Sequence, residues 1–89
     1  MIRLKDLNIA SGETVLVTNK WGAETESRST TVSSSEWDYV DGSATLASEA
    51  LTTPTATCLC TPTSSGELQN TVVLANGETL IAVRRVIVP

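Results

Sequence analysis

The sequence predicts an all-β fold, a small immunoglobulin-like antiparallel β-sandwich of about six to seven strands. Ser and Thr supply 24 of the 89 residues, and branched Thr side chains fit a pleated strand better than a helix. Turn signals separate the strand-like segments at intervals of roughly 8–12 residues, which is typical of such sandwiches. Phe is absent, and Trp and Tyr together number three, so the expected core is small.

The chain divides into an N-terminal arm, residues 1–12, and a sandwich domain, residues 13–89. The arm is expected to hold a short strand at Ile2–Leu4 and to end at the Ser11-Gly12 turn. Residues 20–29 are mostly polar and predict a loop or an irregular edge. The remaining segments combine apolar and branched residues between turn signals and predict strands. These strands are residues 13–19, 30–40, 43–51, 52–62, 67–75 and 78–88.

Turn residues mark where the strands end. Pro54 and Pro62 bracket the fourth strand, which suits strand ends because Pro cannot donate to a sheet. Asp41-Gly42 and Asn76-Gly77 are turn signals, and the second predicts a two-residue hairpin turn. The Ala-rich segment 43–51 has a second interpretation as a short helix, because its leucines and alanines also fit helical spacing.

The last segment, residues 80–88, lacks the alternation expected of a half-buried strand. Its even positions are apolar except for Arg84, and its odd positions are apolar except for Arg85. We therefore expect both faces of this strand, or its free edge, to be covered, partly by another subunit. The two arginines have two interpretations: a bulge lets both reach water, or one pairs with a carboxylate of an adjacent subunit.

The composition argues against catalysis and against several classes of partner. The chain has no His, and its six basic and ten acidic side chains give a net charge of −4. His is the commonest general base and metal ligand, and no serine has one to activate it. The scattered basic residues form no stripe for nucleic acid, and no stretch approaches the roughly 18 apolar residues of a membrane span. We predict no enzyme activity, no cofactor, no metal, no nucleic acid and no membrane.

Cys58 and Cys60 are two residues apart on one expected strand. Their side chains then share a face, with Cα atoms about 6.6 Å apart, so a bridge between them requires a distorted backbone. Two interpretations stay open: both are small buried hydrophobic residues, or one of them forms an intersubunit disulfide.

The two tryptophans are expected to play different parts. Trp37 lies on the core-facing side of strand 30–40 and is expected to anchor it. Trp21 lies in the polar segment and has two interpretations. It is either a core or rim aromatic residue, or an exposed interface anchor, since aromatic residues are enriched at binding hot spots.

Several motifs occur in a specific order along residues 30–89. A Ser-rich run leads into a tryptophan, and a turn with glycine follows. Small residues then lead to a second glycine and to an apolar strand with a central Asn, and a glycine hairpin opens the last strand. These features are Ser33, Ser34 and Ser35 with Trp37, then Gly42, Ala56–Thr61 with Gly66, Leu68, Asn70 and Val72, and Gly77 before Leu80–Val88. Their order and spacing resemble the fiber–tail adaptor family, small virion proteins of tailed bacteriophages.

The resemblance implies an immunoglobulin-like structural domain without catalysis. Such a protein is made in the host cytoplasm and enters the virion in multiple copies, in a symmetric assembly with other proteins of the tail, neck or capsid. Alternatives are a capsid decoration protein, or a free-standing adhesion or carbohydrate-binding module that uses Trp21, Trp37 and Tyr39. The residues expected at subunit contacts are Ile2, Leu4, Trp21, Ile81, Val83, Arg84, Arg85 and Ile87.

Overall fold

A computed structural model describes residues 1–89 as eight β-strands and one short α-helix. The strands are β1 (Ile2–Arg3), β2 (Leu7–Asn8), β3 (Val15–Lys20), β4 (Val32–Val40), β5 (Ala44–Thr52), β6 (Thr55–Pro62), β7 (Gly66–Leu74) and β8 (Thr79–Ile87). The helix is α1 (Gly22–Ser27). The predicted all-β sandwich is confirmed, and the strand count is higher because the arm supplies two short strands.

The strands form two facing sheets. One has the order β1-β8-β7-β4, with β2 also paired to β8, and the other has the order β3-β6-β5. The three-stranded sheet has the order β3-β6-β5, which corresponds to strands B-E-D of immunoglobulin domains. In the facing sheet, β4, β7 and β8 correspond to strands C, F and G. All long strands pair antiparallel, whereas the arm strands β1 and β2 run parallel to β8.

The core lies between the sheets and follows from alternation along the strands. Successive side chains of a strand point to opposite faces, so Ala56, Cys58 and Cys60 of β6 all point inward and have no exposed surface. They pack in one cluster with Leu68 and Val72 of β7. Trp37 is also buried in this cluster, which confirms it as the anchor of β4.

β8 is paired on both edges within its own chain. β7 lies antiparallel on one side, and the arm lies parallel on the other. The amide of Leu4 donates to the carbonyl of Val83 at 2.8 Å, and the amide of Ile9 donates to that of Ile87 at 3.1 Å. From Ala82 to Ile87, the edge that we expected another subunit to cover in part is thus covered by the arm of the same chain, because residues 1–9 return alongside β8.

The missing alternation of β8 also has an explanation within the chain. Val83 points to the outer side of its sheet, yet it is 0% exposed. β8 lies between β1 and β7, so the ion pair from Arg3 Nη2 to Glu67 Oε1, at 3.2 Å, crosses β8. Val83 is the register partner of Arg3, and the apolar stem of an arginine readily covers such a residue.

Residues 20–29 contain a helix where a loop was predicted. α1 has six residues, and inside it the Thr25 hydroxyl donates to the Gly22 carbonyl at 3.0 Å. A helix of less than two turns leaves no visible 3.6-residue periodicity in a sequence, which is why the prediction failed.

Residues 44–52 form β5, so the helical interpretation of this segment was wrong. A register shift between Ala47 and Ala50 marks a bulge, where Ser48 has a φ of 51°. The extra residue lets Leu46 and Leu51 both pack on the core, although five positions separate them. Strict alternation would have placed them on opposite faces, and that mismatch produced the helix-like spacing.

The Asn76-Gly77 hairpin has a three-residue loop and not the predicted two-residue turn. The amide of Leu74 donates to the Glu78 carbonyl at 2.8 Å, and the amide of Gly77 donates to the Leu74 carbonyl at 2.9 Å. Gly77 has a φ of +94°. Three-residue loops with a left-handed glycine are a common hairpin type, and only that one position requires glycine.

Candidate functional site

The residues predicted at subunit contacts do not form one surface. Trp21 and Val83 are 2% and 0% exposed, so their prediction as contact residues was wrong for this fold. Ile81, Arg85 and Ile87 lie on the outer side of β8, where the two isoleucines are half-buried and the arginine is exposed. The remaining residues meet Trp21 at a different place, around a small pocket between the arm and β3.

A buried amide organises the polar residues near that pocket. Asn70 of β7 is 0% exposed. Its Oδ1 accepts from Trp21 Nε1 at 3.0 Å and from Asn19 Nδ2 at 3.2 Å, and its Nδ2 donates to Ser35 Oγ at 2.9 Å and to the Glu36 carbonyl at 3.0 Å. The whole amide is satisfied, and it ties β7 to β3, to β4 and to the start of α1. The sequence signal for this hub is an Asn among the apolar residues Leu68, Val72 and Leu74 on the core-facing side of β7.

Arg84 extends this network inward, so the interpretation of the arginine pair as a bulge was wrong. The β7–β8 register has no shift from Gly66 to Val73, so no bulge turns both arginines to water. Arg84 Nε and Nη2 donate to Asn19 Oδ1 at 3.3 and 3.2 Å, Nη2 also donates to the Thr18 carbonyl at 3.3 Å, and Nη1 donates to the Lys5 carbonyl at 3.1 Å. Arg84 therefore joins β8, β3 and the arm, and all its acceptors belong to its own chain.

A pocket of about 70 Å³ lies beside this arginine. Ile2 and Leu4 of the arm form part of its wall, and Lys20 and Glu24 add a positive and a negative side chain. Burial lowers the pKa of Arg84, but an arginine stays charged at neutral pH. The ion pairs of the structure join other residues, so the guanidinium has no carboxylate partner here.

The two cysteines face the core as free thiols, consistent with the first of the two interpretations. Each is 0% exposed, so the second interpretation, an intersubunit disulfide, is incompatible with this fold, since neither sulfur reaches the surface. Burial, with the charge of Glu49 as a smaller cause, raises the pKa of Cys58 to about 11. Burial also raises the pKa of Cys60.

We expect both thiols to resist alkylation by iodoacetamide at pH 8 in the native protein and to react within minutes in denaturant, because the reactive species is the thiolate. The Cys58 pKa rises from 9.0 to about 11 on folding, so its thiol favours the folded state below about pH 9 and loses that effect as the pH rises towards 11. Mass spectrometry measures the labelling. Rapid native labelling of either residue would contradict the buried placement.

The outer side of the β3-β6-β5 sheet carries almost no charge. The strand register and one hydroxyl contact, between Thr14 and Thr61 at 2.7 Å, align its side chains in four rows. The rows are Thr14, Thr61 and Thr45; Leu16, Leu59 and Ala47; Thr18, Thr57 and Ala50; and Lys20, Thr55 and Thr52. We call these residues the threonine face. Lys20 is its only charged member, and Leu16, on the edge strand β3, is 58% exposed.

The outer side of the other sheet has the opposite character. It carries the Arg3–Glu67 ion pair, with Arg85 in register with Glu67. Glu36 and Asp38 of β4 follow on the same side. Charged groups are strongly hydrated, so this side is suited to water. The sequence placed the threonines of β6 on one face, but the neighbours of β6 in the sheet were needed to show that the whole face is uncharged.

Comparisons with protein-family models, with curated proteins and with solved structures find no match for this chain. No group of three or more Cys, Asp or Glu side chains is arranged to hold a metal ion. No helix of the structure is long and apolar enough to cross a membrane.

Proposed function

We propose that this chain is a non-catalytic structural subunit of a bacteriophage virion, present in several copies around the tail, neck or capsid. Its threonine face packs against the same face of a neighbouring copy. The threonine face is the observation that carries the proposal, and the resemblance of residues 30–89 to fiber–tail adaptors supplies the setting. The adaptor role, in which the assembled copies link fibers or accessory proteins to the tail or neck, is part of the same proposal.

Charge supports a contact between copies through this face. The chain has a net charge of −4, so most surfaces of two copies repel each other. The threonine face contains no acidic residue and only Lys20 as a cation. Packing it against itself removes Leu16 and the threonine methyl groups from water. The only carboxylate of its three strands is that of Glu49, which is exposed in the β5 bulge.

The size of the face supports an assembly of several copies over an isolated dimer. Three strands about 4.8 Å apart and seven residues at about 3.3 Å each span roughly 300–350 Å². A stable interface buries about 800 Å² on each partner. One such contact is therefore weak, and it becomes effective when each subunit is held by several contacts at once.

The carbohydrate-binding alternative depended on exposed aromatic side chains. Trp21 and Trp37 are 2% and 8% exposed, and Tyr39 is half-buried with its hydroxyl donating to the Ser64 carbonyl at 2.6 Å. The largest depression in the surface has a volume of about 230 Å³, below the roughly 300–1,000 Å³ of most small-molecule sites. No feature of the fold favours this alternative over packing between subunits.

We expect the purified chain to self-associate at about 0.1–1 mM, and Leu16→Lys to weaken that association about tenfold or more, because it buries a charge in the contact. Val73→Lys is the matched control, since Val73 is 36% exposed on the charged side of the other sheet. Sedimentation equilibrium over a concentration series measures both. A wild type that stays monomeric throughout, or equal losses in the two variants, would contradict the contact.

The virion setting has a separate test. Particles purified from an induced lysate of the host that carries the gene should contain this chain in a fixed ratio to the major capsid protein, measured by quantitative mass spectrometry. Particles without the chain, while the lysate supernatant contains it, would rule out a structural role in the virion. That result would leave the self-association measurement unaffected.

A further inference from the structure

We propose that the pocket beside Arg84 binds a carboxylate group. The group enters between the arm and the end of β3, with its charge directed at the guanidinium. This proposal is independent of the virion setting, because it rests on the pocket alone.

The guanidinium has a hydrogen available for such a ligand. An arginine carries five N–H donors. In Arg84, Nε and both hydrogens of Nη2 have acceptors, whereas Nη1 donates once, to the Lys5 carbonyl at 3.1 Å. Nη1 can therefore donate its second hydrogen to a carboxylate oxygen. Because the other donors are occupied, we expect one strong hydrogen bond and not a bidentate pair.

The charge of the site is also uncompensated. Partly buried charges in proteins are normally paired, yet the ion pairs present are Arg3–Glu67 and Arg28–Glu78. Lys20 lines the same pocket and likewise has no carboxylate partner. Two cations thus face a pocket whose single acidic side chain, Glu24, pairs with neither of them. An anion that enters the pocket is attracted by both.

The shape of the pocket restricts the ligand to a small group. Its volume of about 70 Å³ suits a carboxylate with a short stem. The apolar side chains of Ile2, Leu4 and Ala82 line the pocket and offer contacts to that stem. A free acid of the size of acetate meets this description, and so does the end of an Asp or Glu side chain from another copy of the chain.

The test is a titration of the ¹⁵N-labelled full-length chain with sodium acetate, against sodium chloride at equal ionic strength. The two tryptophans give two indole N–H signals, and Trp21 lines the pocket whereas Trp37 does not. We expect a saturable shift of the Trp21 signal with acetate only. Equal shifts with both salts, or a shift that never saturates, would overturn the proposal.

Variants that leave the Arg84 network intact keep the test decisive. Lys20→Gln is expected to weaken acetate binding about 2–5-fold, the effect of one exposed charge. Glu24→Gln is expected to strengthen it, because a competing and repelling carboxylate is removed. Arg85→Gln, on the outer side of the same strand, should leave binding unchanged. If Lys20→Gln and Glu24→Gln both bind acetate like the wild type, the site is not the one described.

A dilution series of acetate-free Leu16→Lys, in which contact through the threonine face is weakened, distinguishes the two sources of the carboxylate. If another copy supplies it, the Trp21 signal moves with protein concentration along the same direction as with acetate. If the ligand is a free acid, dilution has no effect and acetate alone moves the signal. Either result supports carboxylate binding, whereas a signal that responds to neither contradicts it.

Discussion

Asn70→Leu is expected to lower the free energy of unfolding by about 2–6 kcal/mol, because two buried donors lose their acceptor at about 1–3 kcal/mol each. These donors are Trp21 Nε1 and Asn19 Nδ2, which both bind Asn70 Oδ1. Leu has the same branching and number of side-chain heavy atoms as Asn but is bulkier, so the change removes hydrogen bonds and opens no cavity, and any crowding adds to the loss. A domain of this length has a total stability of about 4–13 kcal/mol, so the variant should lose a large share of it.

Urea denaturation followed by tryptophan fluorescence measures this loss, since Trp21 reports on the network directly. Gln69→Leu is the matched control. Gln69 precedes Asn70 on β7 and points to the opposite side of the sheet, where it is half-buried. We expect a change within about 0.5 kcal/mol for the control, as for most surface substitutions. Similar losses in the two variants would show that any apolar residue on β7 is harmful and that the Asn70 bonds are not the cause.

The strand pattern was predictable because it depends on neighbours in sequence. The alternation of Thr with Ala and Cys in residues 55–61 places the thiols inside and the threonines outside whatever strand lies beside them. The position of the Asn76-Gly77 hairpin was predictable in the same way, because Asn and Gly tolerate the positive φ angles of a tight turn. The length of its loop was not predictable, because it depends on which residues of β7 and β8 form the last pair before the turn.

The predictions that failed required knowledge of the sheet order. A strand such as β8, with apolar residues on both faces, can be covered by another chain or by its own chain. The sequence alone does not distinguish these two cases. The pairing of the arm with β8 was not predictable, because β1 and β2 have only two residues each. Most strands have three to ten residues. Likewise Arg84 and Arg85 are equivalent in sequence, and only the register of β8 shows which of them points between the sheets.

Sheet order also explains why the candidate sites were only partly predictable. The threonine face joins residues of β3, β6 and β5 that lie far apart in the chain. Its low charge is a property of the three strands together and is not visible in any one segment of the sequence. The pocket joins the arm, β3, α1 and β8 in the same way. Four of the predicted contact residues, Ile2, Leu4, Trp21 and Arg84, line it.

Arg84→Met is expected to release the arm while the sandwich stays folded. The substitution removes the bonds to Asn19, to Thr18 and to the Lys5 carbonyl, which lies between β1 and β2. Hydrogen bonds to charged groups contribute about 1.5–3 kcal/mol, so we expect amide exchange at Leu4 and Ile9 to accelerate about 10–100-fold. These two amides bind β8 carbonyls and report directly on whether the arm is docked.

Arg3→Met is the control that tests whether the exposed Arg3–Glu67 ion pair, and not Arg84, holds the arm against β8. Arg3 lies in the arm itself, and its ion pair with Glu67 has side chains 58% and 28% exposed. Such pairs contribute about 0–1 kcal/mol, so exchange at Leu4 and Ile9 should rise by about fivefold at most in this control. Amides of β6, which lies in the other sheet, should keep their protection in both variants. If Arg3→Met frees the arm as much as Arg84→Met does, the arm is held from the surface, and the inward arginine is not what secures the edge of β8.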